Sequence, residues 1–222
     1  MNKTKIEWTD YTWNPITGCL RNCWYCYARR MFKRFNKSFE PAFHPERLKE
    51  IDDLKTEGNK IFVCSVADLF AEWTDENWTR QVLDKIRNNN QEFQLLTKVP
   101  ERLKYFDIPY GCWVGVTCNN RDDYLKAIKY LSGFPSKVRF LSFEPLLGDV
   151  GELDLTSIHW IIIGKLTGSK KIELKKEWVE NILIQARKQN IPVFIKNNVG
   201  WKDNIQEFPD LKNATEGADS SQ

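Results

Sequence analysis

The chain has 222 residues, 41% hydrophobic and 28% charged, with a net charge of +3. That length makes one domain, or at most two small ones, and can bury a sizeable core. The charge is too mild to imply a nucleic-acid partner on its own, and no run of about 18 apolar residues is available to span a membrane.

Residues 1–7 lack the apolar segment of a signal peptide, so the expected compartment is the cytoplasm, where thiols stay reduced. Cys19, Cys23 and Cys26 follow in a C-x3-C-x2-C pattern, on a loop just before a predicted helix. On that helix Trp24, Tyr27, Ala28, Met31 and Phe35 fall at helical spacing and read as a core stripe. Arg29, Lys33 and Lys37 form an adjacent row, with Arg30 and Arg34 beside it, and no acidic residue occurs between Arg21 and Lys37. Residues 61–66 read as a buried strand, after which Asp75 caps a helix carrying Trp78, Val82 and Ile86 on one face. Strands are predicted over 93–97 and 112–117, a helix over 122–131 and a further strand over 138–143. Residues 160–164 are apolar throughout, as in a parallel strand covered on both faces. A helix over 175–189 and a strand over 192–196 close the series. The polar, small-residue tail 213–222 predicts disorder, leaving 1–212 as a single domain.

Continuous apolar strands alternating with helical stretches predict a parallel α/β fold. A full TIM-type (β/α) barrel takes about 250 residues. The chain suits an incomplete (β/α) TIM-type barrel with about six parallel strands, and a doubly wound open sheet is the competing architecture. In both, function collects at the C-terminal strand ends. Those ends carry Ser65 and Asp68, Thr97 and Lys98, Thr117 and Asn119, Ser142 and Glu144, Gly164 and Lys165, and Lys196 with Asn197.

Six cysteines could suggest disulfides, but three are clustered and Cys64, Cys112 and Cys118 lie in or beside apolar runs. In a reduced compartment that layout points to metal. Three thiolates can hold three corners of a four-iron cluster and leave the fourth iron open for chemistry. Zinc with a fourth ligand is the alternative. Neither histidine, His44 nor His159, has ligand spacing to the cysteines, so the spacing favours the cluster.

The C-x3-C-x2-C motif with an aromatic residue, Tyr25, before its last cysteine resembles the radical S-adenosylmethionine (SAM) superfamily. More closely, the chain is similar to an uncharacterised, phage-associated family within or beside it. Stretches 5–10, 12–15, 18–19, 26–28, 65–70, 96–98, 142–147 and 194–196 carry that likeness over nearly the whole length. Relatives often have a longer insertion before the last two cysteines; the spacing here is the standard superfamily one. The resemblance implies a [4Fe-4S] cluster on Cys19, Cys23 and Cys26, with SAM on the open iron, cleaved reductively to a radical that abstracts hydrogen from substrate. It also implies Ser65 and Asp68 near the SAM amine, Thr117 or Asn119 near its ribose, Glu144 near a ribose or substrate hydroxyl, and residues 161–164 beside the adenine. Lys98 and Lys196 read either as solvated or ion-paired lysines or as contacts to the SAM carboxylate or an anionic substrate, and Cys118 reads either as a simply buried cysteine or as a hydrogen-atom donor to a substrate radical, as in DNA-lesion lyases of the superfamily. A reductant such as flavodoxin or ferredoxin would be a partner, and a nucleic acid or nucleotide the substrate. A non-catalytic zinc- or cluster-containing nucleic-acid-binding module is the other class of reading.

Overall fold

At the start of the chain β1 (Asn2–Lys3) pairs antiparallel with β2 (Tyr11–Trp13). A small two-stranded ladder, β3 (Ile16–Thr17) with β4 (Ala42–Phe43), brackets the cysteine loop and α1 (Tyr27–Arg34). Beyond a 3-10 helix at Pro45–Ile51 come β5 (Lys60–Val63), α2 (Glu76–Arg87), β6 (Glu92–Thr97) and a second 3-10 helix, Pro100–Tyr105. Next are β7 (Trp113–Thr117), α3 (Arg121–Leu131), β8 (Val138–Phe143), β9 (Trp160–Ile163), α4 (Lys176–Lys188) and β10 (Val193–Ile195). This computed structural model describes residues 1–168 and 172–211; the predicted tail 213–222 lies outside them.

The helices start where local chemistry places them. Asp75 accepts the Asn77 N–H at 2.7 Å ahead of α2, and the Asn120 side chain accepts the Asp123 N–H at 3.0 Å ahead of α3. Each such cap is worth about 1 kcal/mol.

One eight-stranded sheet runs in the order β1-β2-β5-β6-β7-β8-β9-β10. Every neighbouring pair from β2 to β10 is parallel, so the sheet has seven parallel strands and one antiparallel edge strand, where the sequence predicted about six parallel ones. The additional parallel strand is β2, whose three residues carry no long apolar run. Regular βα alternation is also less complete than expected: a 3-10 helix joins β6 to β7, and β8 reaches β9 without an α-helix. Strand order follows chain order without reversal, which excludes the doubly wound alternative, because that fold needs a switch point.

Strand residues alternate between two layers. Ile61, Val63, Phe93, Leu95, Val114, Val116, Leu141, Phe143, Ile161, Ile163, Val193 and Ile195 pack with Val82 and Ile86 of α2, Ala127 and Leu131 of α3, and Val179 and Ile182 of α4. The opposite face buries Trp8, Phe62, Trp113, Val138, Phe140, Trp160, Ile162 and Phe194 against one another, with no helix between. Gly115 makes room there: a Cβ on it would come within 2.3 Å of the Phe140 ring. This aromatic cluster lies toward the N-terminal ends of the strands, and the same face opens into a cavity at their C-terminal ends.

Candidate functional site

The cavity is about 670 Å³ and is lined by Thr12, Asn14, Ser65, Asp68, Lys98, Thr117, Ser142, Glu144 and Lys196, together with Cys19, Cys23 and Cys26. Ligand pockets of about 300–1,000 Å³ take nucleoside-sized molecules, so this one is large enough for a cofactor of that size. Its polar residues come from successive strand ends because the parallel register brings all of those ends to one edge.

The cysteine loop is held against that edge by its backbone. Gly18 donates to the Val66 carbonyl at 3.2 Å, and Cys19 donates to the Phe39 carbonyl at 3.0 Å. Gly18 has a φ of +87°, and a Cβ there would come within 2.1 Å of the Glu40 carbonyl oxygen, so only glycine fits. Asn22 takes a φ of 56°, a conformation in which asparagine is among the favoured residues. The Cys26 sulfur accepts the Arg29 N–H at 3.3 Å and so caps α1, whose first turn holds no acidic residue. Burial pushes the Cys19 thiol up, and the nearby Asp68, Cys23 and Cys26 add to that.

All three thiols are partly exposed, whereas Cys64, Cys112 and Cys118 are buried. Among the described residues no group of three or more His, Cys, Asp or Glu is gathered tightly enough for a single metal ion. A zinc site needs four donors converging on one point. The three thiols line one cavity and are soft donors of the kind that an iron-sulfur cluster or, with a fourth ligand, zinc would take.

The polar residues form a connected frame. Asp68 accepts the Thr97 hydroxyl at 2.7 Å, the Lys98 N–H at 2.9 Å and the Phe70 N–H at 3.3 Å. Its carboxyl is nevertheless held above the usual carboxylate range by burial, and its bonds tie the loop after β5 to the end of β6. Lys98 reaches over the Tyr25 ring at 5.6 Å, and burial lowers its ammonium pKa. The Tyr25 hydroxyl donates to Asn119 Oδ1 at 2.7 Å, and Asn119 donates to the Pro145 carbonyl at 2.6 Å. Burial raises the Tyr25 phenol, and the neighbouring Cys23 raises it further. The Tyr27 hydroxyl donates to the Ser65 carbonyl at 2.7 Å. Glu144 pairs with Lys196 across Gly164, where a Cβ would come within 2.8 Å of Glu144 Cγ.

The structure brings Cys19, Cys23, Cys26, Ser65, Asp68, Lys98, Thr117, Glu144 and Lys196 to this one cavity, with Asn119 bonded into its frame. Three expectations are corrected. Cys118 lies in the helix-facing layer, wholly buried, with its sulfur 3.6 Å from the Asp123 carbonyl, and does not line the cavity. Alternation places Thr117 on the cavity side and the next residue behind it. Of residues 161–164, Ile161 and Ile163 likewise face the helices. The stripe on α1 is not core: Trp24, Tyr27, Met31 and Phe35 are exposed, and only Ala28 is buried. The sequence reading missed two site residues. Asn14 accepts the Ser65 hydroxyl at 3.1 Å and the Val66 N–H at 3.3 Å, and Arg21 donates to the Lys98 carbonyl at 3.1 Å. Asn14 follows an apolar-ended segment as the other strand-end residues do, and that was its available signal.

This fold is found in solved structures of spore photoproduct lyase. One point mutant superposes with a TM-score of 0.60 at 12% identity, covering 87% of this chain and 78% of that one. Another, with bound AdoMet and dinucleoside spore photoproduct, gives 0.55 at 13% identity over 84% of this chain and 63% of that one. Identities this low establish a shared fold. By sequence, residues 3–219 match the family described as "Protein of unknown function (DUF5131)", and the chain belongs to that family. It is also 33% identical over 132 residues to the uncharacterized protein MJ0683 of Methanocaldococcus jannaschii, spanning 57% of this chain and about half, 51%, of that protein.

Proposed function

We propose that this chain is a radical SAM enzyme whose substrate is a nucleic acid or a nucleotide. One observation carries the reading: Cys19, Cys23 and Cys26 line the same cavity as the polar strand ends. The fold shared with spore photoproduct lyase supports it, as does the AdoMet and dinucleoside photoproduct held in one of those structures. The singly wound sheet supports an incomplete barrel.

Cys19, Cys23 and Cys26 would hold the [4Fe-4S] cluster. When bound, cluster and SAM together supply one-electron cleavage of SAM to methionine and a 5′-deoxyadenosyl radical that takes hydrogen from substrate. The chain's own residues bind and orient. Lys98, recessed and without an ion-pair partner among the described residues, offers its charge to the SAM carboxylate or to a substrate phosphate. Ser65, fixed by Asn14, and Thr117 present hydroxyls to the amine and ribose of SAM. Asn119 is aimed by Tyr25, and Glu144 is aimed by Lys196 toward a ribose or substrate hydroxyl. Asp68 is a positioning residue, because its hydrogen bonds hold the backbone that carries Lys98. A flavodoxin or ferredoxin in a reducing cytoplasm would deliver the electron.

The test is anaerobic reconstitution with iron and sulfide, then addition of SAM and dithionite. The expected results are about four irons per chain and formation of 5′-deoxyadenosine. Cys23→Ala should lose both, because two thiolates do not retain the cluster. Zinc in place of iron, or no 5′-deoxyadenosine from the iron-loaded protein, would move the chain to the non-catalytic binding-module reading.

A further inference from the structure

The charge of the chain is unevenly placed. Arg21, Arg29, Arg30, Lys33, Arg34 and Lys37 fall in one stretch without a single acid, and these six cations exceed the net charge of +3, so the remainder is net negative. The other helices carry acids in their first turns (Glu76 in α2, Asp122 and Asp123 in α3, Glu177 in α4), and α1 carries none. Among the described residues no ion pair involves Arg30, Lys33, Arg34 or Lys37.

The same helix exposes apolar surface where a helix packed on a core would bury it. Tyr27 is 50% exposed, Met31 37% and Phe35 64%. Tyr27 and Met31 also line the cavity, so the exposed stripe begins at its mouth and runs outward to Phe35. Arg30 and Arg34 flank that stripe at helical spacing. Arg30 also spans the mouth, donating to the Thr167 carbonyl at 3.0 Å and the Gly168 carbonyl at 3.2 Å.

We infer that this face of α1 is a track for single-stranded nucleic acid, with bases stacked on Tyr27 and Phe35, phosphates held by Lys33 and Arg34, and one nucleotide led into the cavity. Unopposed cations select a polyanion. Exposed rings beside them select one whose bases are free to stack, which a duplex does not offer. The inference rests on the nucleotide-substrate reading and narrows it from a mononucleotide to a strand.

The experiment is fluorescence anisotropy of the full chain with labelled oligo-dT, oligo-U and a DNA duplex of equal length, from 50 to 200 mM salt. The single strands should bind more tightly than the duplex, and the better of the two tells which backbone is preferred. Replacing Lys33 and Arg34 together with Glu should lower the magnitude of the salt slope by about 1.4, two phosphate contacts' worth. Phe35→Ala should weaken single-strand binding at least about fivefold. Both variants should reconstitute a cluster as the parent does, because neither site touches the cysteines. Tighter duplex binding, an unchanged salt slope in the charge-reversed variant, or capture by anionic lipid vesicles but not by oligonucleotides would overturn the inference. None of these readouts needs SAM cleavage, so a failed track and a failed radical SAM reading are told apart.

Discussion

The two ends of the inner sheet face differ sharply. Toward the N-terminal ends of the strands, Trp113, Phe140, Trp160 and Phe194 pack against one another, and Trp8 and Phe62 pack on them and line the cavity. Trp160 alone has its ring centroid within 6.3 Å of those of Trp8, Trp113, Phe140, Phe194 and Phe208. Toward the C-terminal ends the same alternation delivers Lys98, Thr117, Ser142, Glu144 and Lys196 into an open cavity. One end is filled with packed rings, and the other is an open cavity lined by polar side chains that a ligand can meet. Substitutions should therefore separate cleanly: those at the closed end change folding, and those at the open end change binding.

The largest expected effect is at the closed end. Trp160→Ala should cost about 3–5 kcal/mol of stability, read as a lower midpoint in urea. Gly115→Ala presses a methyl against the Phe140 ring and should cost about 1–3 kcal/mol by overpacking. At the open end, Gly164→Ala pushes Glu144 off its station beside Lys196 and should weaken SAM binding by at least about tenfold, the equivalent of one charge-assisted hydrogen bond. Calorimetric titration of the reconstituted protein reads that change, and unaltered affinity would remove Glu144 from the site. Glu144→Gln keeps the volume and loses the charge, so it should bind SAM less well than the parent with an unchanged urea midpoint.

The smallest expected effect is a pH dependence at the closed end. His159 precedes β9, and its Nδ1 accepts the Arg139 N–H at 3.0 Å. Burial, then the Arg139 charge, lowers its pKa from 6.5 to about 4. The folded state thus holds fewer protons than the unfolded state between those values. Its contribution to stability is full above pH 6.5 and is lost as the pH falls toward 4. Urea midpoints should drop over that window in the parent and drop less in His159→Gln.

Much of this arrangement was legible in the sequence, because apolar runs bounded by polar residues report strands directly. The run 138–143 is β8 to the residue, and the helix predicted over 175–189 is α4 within one residue at each end. β2 escaped because its pairing with β5 is a tertiary fact that three residues cannot announce. The facing of strand residues was the harder loss. Strands buried on both sides show no polar alternation, so Thr117 and Cys118 looked equally placed, although only Thr117 reaches the cavity. The α1 stripe misled for the opposite reason: its spacing is that of a core helix, but its apolar side meets the cavity mouth and solvent. The cysteine motif was legible because spacing alone puts three thiols on one loop.

The most direct test is low-temperature EPR of the reconstituted, reduced protein with and without SAM. The expected result is a [4Fe-4S]⁺ signal that shifts when SAM is added, because three thiolates leave one iron open. A cluster signal indifferent to SAM would contradict it.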